Sequence, residues 1–485
     1  MTMHVEVGPD STAPPHSSGI KVIIIGLGIG GLAAAIECHR KGHSVIAFDK
    51  AQELKPVGLF IPSSLFFPPS RLLFPPVLRS EFSGDGIALA HNAVRVIEKW
   101  GKGTVGQELE RLSSRLNTTV IYDQTGRFIA EDKLDGFKAG EGHLLPRGEL
   151  SQVMYKHAKS LGIDMRLASE VDEYWEDENS AGVIVDGEKI TADCVVACDG
   201  VNSKARRHII GYEPELRSSG SCVFRGWMTT EEPLVGSHWL LSHTDQADQV
   251  KVFAGDGVHV LLSTIQHGKM VFWLCTHKDN DCYDRKKEAP PTPEVDGMIH
   301  LIRDWPMRGQ IESTIRKTLA KNVMHYPLLI REALSNWRSK GGRMVIIGDA
   351  AHPFLPVSGQ GAAQAIEDAA VLAITLHLAG KEEVPLALHA LEKIRLPRTA
   401  LLQRSSLELE RFWLNIDWPE VEKCPELLTI PRPKWIHGHD CQTHAYTEFA
   451  KVVSAIQMRE EYHPLGGPRD STNGESLLAL LRQDT

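Results

Sequence analysis

The sequence predicts an α/β fold in which a discontinuous, Rossmann-like parallel sheet carries a separate antiparallel-sheet domain and a helical C-terminal segment. Three observations predict it. Short apolar, β-branched runs at 21–25, 194–198 and 343–348 each end in a loop bearing glycine or aspartate, as buried parallel strands do. Between Arg206 and about Met324 the pattern changes to strand runs separated by tight turns, Asp256-Gly257 and His267-Gly268 among them. Beyond Leu396-Pro397-Arg398 the chain reads as mostly helical.

Bulk properties exclude several classes of function. The 485 residues carry 53 basic and 62 acidic side chains, a formal net charge of −9. That balance argues against a nucleic-acid groove or a basic membrane patch. With 42% apolar and 24% charged residues the composition is that of an ordinary globular protein, long enough for two or three domains. Eight cysteines form no CxxC pair or zinc-like cluster, so reduced thiols, a cytoplasmic location and no bound metal are expected. Residues 1–20 read as a loose polar tail without a signal-peptide core. No uninterrupted apolar run reaches the roughly 18 residues of a stable membrane span.

The first element is the strand 21–25, KVIII, followed at once by Gly26-Leu-Gly28-Ile-Gly30-Gly31, a helical stretch to Arg40, and a second strand, 44–48, closed by Asp49. In such a unit Gly26 permits the tight turn, Gly28 lets backbone approach a pyrophosphate, and Gly31 lets helix and strand pack closely. Asp49 stands where an acid accepts hydrogen bonds from the adenosine ribose. The whole unit specifies a dinucleotide without choosing between FAD and NAD.

The second strand-ending motif is Asp199-Gly200-Val-Asn-Ser203. The third runs from Asp349 through His352-Pro353 and Pro356 to Gly359-Gln-Gly361-Ala362, then into a helix expected over about 361–379. With these residues in place, the chain resembles the single-component FAD-dependent aromatic hydroxylases, in particular salicylate hydroxylase-like enzymes of fungal type. The resemblance spans residues 21 to about 400, and the third motif is its most specific part. It implies FAD as cofactor and NAD(P)H as transient co-substrate. With O2 the reduced flavin would hydroxylate a small aromatic, phenolic, enol-like or polyketide-like substrate. Asp349 would hold cofactor hydroxyls, and Gly361 and Ala362 would open a helix whose positive end faces the flavin. Arg147 matches the family arginine lying against FAD, Asp199 the acid between flavin and nicotinamide sites, and Gly86 a flavin-touching turn. The absence of a second glycine fingerprint separates the chain from reductases that bind NADPH at a site of its own.

On the substrate side, related fungal enzymes place an arginine on the first sheet strand, which makes Arg225 in Val223-Phe224-Arg225-Gly226 the catalytic candidate; a sheet-edge ion pair is its plain alternative. Tyr326 is read as a core residue, with pocket lining as its alternative, and His352 as a loop holder, with a catalytic base as its alternative. His437-Gly-His439 is read as structural, on the surface or at a dimer contact, with a homodimer left open. The resulting division is a tail at 1–20, FAD-binding parts at 21–205 and 325–400, a substrate-binding sheet domain at 206–324 and helices at 401–485. Same-fold alternatives are an epoxidase or a decarboxylating hydroxylase. An inactive flavin-fold protein, disabled by the stretch 59–84, is the alternative outside enzymology.

That stretch, LFIPSSLFFPPSRLLFPPVLRSEFSG, interrupts the expected turn between Gly58 and Gly86. Leu, Phe, Pro and Ser dominate it, and all four are encodable by pyrimidines alone. It reads as a translated intron or gene-model error, with a genuine apolar loop as the alternative. Removing it leaves Asp85 where the family has a small residue. Sequencing the mature transcript is expected to find a spliced message without these codons; a uniform message containing them would contradict the reading.

Overall fold

The computed structural model describes residues 16–53, 86–116, 118–134, 141–230, 239–240, 248–279, 295–462 and 482. The stretch 59–84, with Asp85, lies outside them. So do residues 1–15 of the expected tail, but its last residues are packed: Ile20 is fully buried and Ser18 Oγ donates to Gly42 O at 3.1 Å.

Five parallel strands form the first sheet, in the order Met344–Ile346, Cys194–Ala197, Lys21–Ile25, Ser44–Phe48, Asp164–Arg166. Continuous burial of Val22–Ile25, Cys194–Ala197 and Met344–Ile346 explains why these three read as unbroken apolar runs. The three motif-bearing strands are neighbours, so the loops that follow them emerge at one edge of the sheet. Ligands of open α/β sheets bind at that carboxyl edge.

Helix Ile29–Arg40 packs against helix Gly361–Ala379 across this sheet. The latter begins and ends where the sequence placed it. Among the described residues it is the one helix long and apolar enough to cross a membrane, yet 78% of its most apolar window is buried inside the fold. An added Cβ at Gly30 or at Gly348 would come within 3.3 Å of Ala365 Cβ. The glycine loop, the Asp349 loop and this helix are therefore in van der Waals contact at one point.

The second sheet is larger and more mixed than the sequence indicates. Its order is Val323–Arg331, Leu216–Thr229, Met270–Lys278, Val258–Ile265, Val250–Gly255, Thr118–Asp123, Phe128–Lys133. The hairpin 118–133 comes from the chain's first third, and Thr118–Asp123 runs parallel to Val250–Gly255. The sequence division at 206 and 324 does not follow this sheet, because strands recruited from a distance leave no composition shift. The division at 400 likewise falls inside one helix, Val384–Leu414, which runs through Pro397.

Under the cavity-facing loops lies a buried ionic network. Arg395 donates to Asp368 Oδ1 at 2.8 Å and also pairs with Glu367; Arg398 donates to Glu367 at 3.0 Å and to the carbonyls of Trp435 and Ile436. Burial pushes both carboxyls up, but Arg395, Arg398 and His352 more than reverse it and hold both below their ordinary values. Depressed carboxyls stabilise the fold above their ordinary values of 4.5 and 3.8, and that contribution is lost as pH falls through the folded-state values. Removing one partner leaves buried charge uncompensated. Arg395→Met is expected to cost about 3–5 kcal/mol in denaturant unfolding; a loss under about 1 kcal/mol would contradict the network's structural weight.

Candidate active site

A cavity of about 1500 Å³ lies between the two sheets. It is larger than the roughly 300–1,000 Å³ of a single drug-sized site. All three strand-ending loops line it.

From the first loop, Gly26 has φ +92°, and a Cβ there would lie 2.6 Å from Cys198 O. At Gly31 a Cβ would come within 1.8 Å of Gly26 O, so helix and strand approach as closely as only glycine allows. Gly28 meets nothing within 4 Å and faces the cavity. Asp49 lines the cavity and its carboxylate accepts from Leu27 N at 2.7 Å and Ala51 N at 2.8 Å. It therefore braces the glycine loop as well as facing the site; each oxygen keeps a second lone pair.

From the second loop, Asp199 Oδ2 accepts from Ala205 N at 3.1 Å, while its Oδ1 is buried without a hydrogen-bond partner. From the third, Asp349 sits in the turn Gly348–Ala350. Burial raises its carboxyl, against the pull of Arg147 and His352. Arg147 opens helix Arg147–Ser160 at the end of strand His143–Pro146 and lines the cavity. Gly361 and Ala362 open helix Gly361–Ala379, with their amides unpaired within the helix. A Cβ at Gly361 would lie 4.0 Å from Asp349 Oδ1. Gly86, on the short strand Gly86–Leu89, also lines the cavity, and a Cβ there would strike the Phe272 ring at 2.5 Å.

One face of the second sheet closes the cavity. Arg225 lies on it, 8% exposed, and donates Nη1–H to Tyr326 Oη at 2.9 Å. Its strand is interior, flanked by Val323–Arg331 and Met270–Lys278, so the sheet-edge alternative does not hold. Tyr326 also lines the cavity, the alternative to its reading as a core residue.

His352 donates from Nε2 to Asp368 Oδ2 at 2.6 Å and so holds the third loop to its helix. His437 and His439 are half-buried, and burial, with Arg398 beside both, pushes each down to about 3. His437 lines the cavity, and guanidinium groups so close oppose a cation there. On the sheet's far face Cys222, His277 and His325 bring one ligand atom each within 4.8 Å, a grouping the sequence reading missed because it is made by strand pairing. His277 Nδ1 donates to Lys278 O at 2.8 Å, leaving its Nε2 to accept from His325 Nε2–H at 3.0 Å. That bond accounts for the contact without an ion. Sequence reasoning also missed Glu410, His259 and Trp413, which line the cavity without belonging to any local motif.

Comparison with known proteins agrees with this geometry. Residues 91–405 match the FAD binding domain family, and residues 21–56 match a second family described as FAD binding domain. The asperlicin C monooxygenase of Petromyces alliaceus is 94% identical over 485 residues, 100% of both chains. The chain belongs to the FAD-dependent monooxygenases. The crystal structure of CtdE in complex with FAD and its substrate 4 is 37% identical, covers 90% of this chain and 100% of its own, and superposes with a TM-score of 0.78. A salicylate hydroxylase substrate complex, 20% identical over 91% of this chain and 98% of its own, shares the fold with a TM-score of 0.66. This monooxygenase is thus an oxidoreductase that uses FAD and O2, with the NAD(P)H typical of its family.

The residues present fit FAD. The open cradle at Gly28 suits a pyrophosphate, and acids stand at Asp49 and Asp349 for hydroxyl groups. Buried polar atoms without partners line the approach: Asn92 Oδ1 and Gln360 Nε2 at the helix start at Gly361, and Asp199 Oδ1 in the second loop. Gly28→Val is therefore expected to fold, since its Cβ meets no atom, while weakening FAD at least tenfold, about 1.4 kcal/mol, in a flavin titration. Retained FAD affinity would place the pyrophosphate elsewhere.

Proposed function

We propose that this monooxygenase oxygenates asperlicin C or a close analogue, bound against the sheet face that carries Arg225. The observation that carries the substrate is the end-to-end 94% identity to the Petromyces alliaceus enzyme of that name. When bound, FAD supplies hydride acceptance from NAD(P)H and activation of O2, one oxygen atom going to substrate and the other to water.

The chain's own residues bind, orient and exclude water. Gly26, Gly28 and Gly31 shape the pyrophosphate loop, while Asp49 accepts the adenosine ribose hydroxyls and Asp349 the sugar-alcohol hydroxyls. Gly86, Arg147 and Asp199 border the flavin. The amides of Gly361 and Ala362, at a helix start, face negative charge on its reduced ring, worth roughly 0.3–1 kcal/mol and up to ~2 when partly buried. Arg225, oriented by Tyr326, offers guanidinium N–H groups to negative charge developing on the substrate. Apolar walls from Val223, Val252, Leu261, Leu274 and Phe272 keep that end dry.

With asperlicin C, FAD and either nicotinamide, O2 uptake is expected to match a product heavier by one oxygen atom. A product lacking carbon dioxide as well would favour a decarboxylating hydroxylase. Arg225→Met is expected to lower kcat about 10²-fold with FAD content unchanged; wild-type turnover in this variant would return Arg225 to a packing role.

A further inference from the structure

Side chains alternate along a strand, so Ser221, Val223 and Arg225 share one face of Leu216–Thr229. Val223 and Arg225 line the cavity, and Ser221 Oγ donates to Glu410 Oε1 at 2.8 Å. Glu410 comes from helix Val384–Leu414 and lines the same cavity, with Trp413 one turn further along. Thr276 pairs with Val223 and His259 with Thr276, which brings His259 into this patch. The His259 ring lies 5.4 Å from Trp413, and its Nδ1 is buried without a partner. Glu410, Ser221 and His259 thus form a polar island in a wall of Val223, Leu261, Leu274 and Trp413.

Among the described residues Glu410 is 2% exposed and takes a single hydrogen bond, from Ser221, and no ion pair. Burial pushes its carboxyl up to about 7, against the bond from Ser221, and pushes His259 down to about 4. A carboxylate buried without a cation costs the fold stability. Its position in the cavity wall makes sense if a ligand supplies the missing donor. The island is also set apart from Arg225 along the sheet, where helix Val384–Leu414 packs against the loop at Pro356–Ser358. Gly86, the turn assigned to the flavin, abuts Phe272, which pairs with Trp227 beyond Arg225. Ser221 lies four residues to the other side of Arg225, roughly 13 Å at about 3.3 Å per residue.

We propose that Glu410, steadied by Ser221, binds an N–H or O–H donor of the substrate at a point of the cavity wall set well apart from Arg225. The substrate is therefore an elongated molecule, longer than a one-ring phenol, that reaches from Arg225 to Glu410. This rests on the functional reading above for the substrate's place against Arg225.

The test uses full-length wild type, Glu410→Leu and Glu410→Gln, each loaded with FAD, with asperlicin C as probe. Affinity is read from the perturbed flavin absorbance, KM and kcat from turnover, and Tm from substrate-free unfolding at pH 8. Glu410→Leu is expected to keep stoichiometric FAD, to weaken asperlicin C about 10- to 100-fold in Kd and KM with a smaller change in kcat, and to unfold at or above the wild-type Tm. Glu410→Gln, whose amide oxygen still accepts, is expected to lose less affinity. Unchanged affinity in Glu410→Leu, or a Tm below wild type with lost FAD, would overturn the proposal by making Glu410 neutral or structural. Wild type that binds asperlicin C without oxygenating it would fail the functional reading alone, and the affinities would still decide Glu410. If wild type does not bind the probe, the Tm comparison decides: a lower Tm in Glu410→Leu overturns the role, and an equal or higher one supports it.

Discussion

Asp368 holds two parts of the molecule in one place. Its Oδ2 accepts from Gly348 N at 3.0 Å and from His352 at 2.6 Å, and its Oδ1 accepts from Arg395 at 2.8 Å. The first two donors belong to the loop that ends the third motif strand, and the last to the long helix Val384–Leu414. Asp368 itself stands two turns into the helix whose start faces the flavin site. An isolated buried carboxylate would be costly, and the geometry is sustained because every strong donor around it is aimed. The Asp349 turn, the glycines at 359 and 361 and the helix start therefore share one rigid support.

That support explains how a site built on loops can be preformed. Three adjacent parallel strands deliver their loops to one edge, and glycine closes the last gaps: Gly31 against Gly26 O, Gly30 and Gly348 against Ala365. The electrostatics are divided along the cavity. Acids at Asp49, Asp199 and Asp349 stand at the strand ends, and the helix start at Gly361 offers the opposite sign. The sheet face beyond is apolar except for Arg225 with Tyr326 and the island around Glu410.

Much of this was legible in the sequence because it is local. Strands 21–25 and 44–48 and the helix from Gly361 to Ala379 carry their signals in unbroken apolar runs, glycine spacing and terminal acids. The fold class and a dinucleotide site follow from those signals, and the choice of FAD follows from the family resemblance of the three motifs. What was not legible depends on pairing across distance. Hairpin 118–133 joins the second sheet with no local mark of it. Glu410 looks like any helical glutamate until strand Leu216–Thr229 sets Ser221 beside it. Tyr326 reads as a core residue until its partner strand turns Arg225 towards it. Arg395 and Arg398, on either side of Pro397, carry no local mark of their role as the cations of the buried network.

The central claim is that the loops at Gly26, Asp199 and Asp349 surround a single isoalloxazine beneath the Arg225 face. A crystal structure of the protein with FAD tests it most directly. The account predicts the pyrophosphate at Gly28, the ring beside the Gly361–Ala362 amides, and open space between that ring and Arg225. Density for the ring outside this cleft, or on the far side of the second sheet, would contradict it.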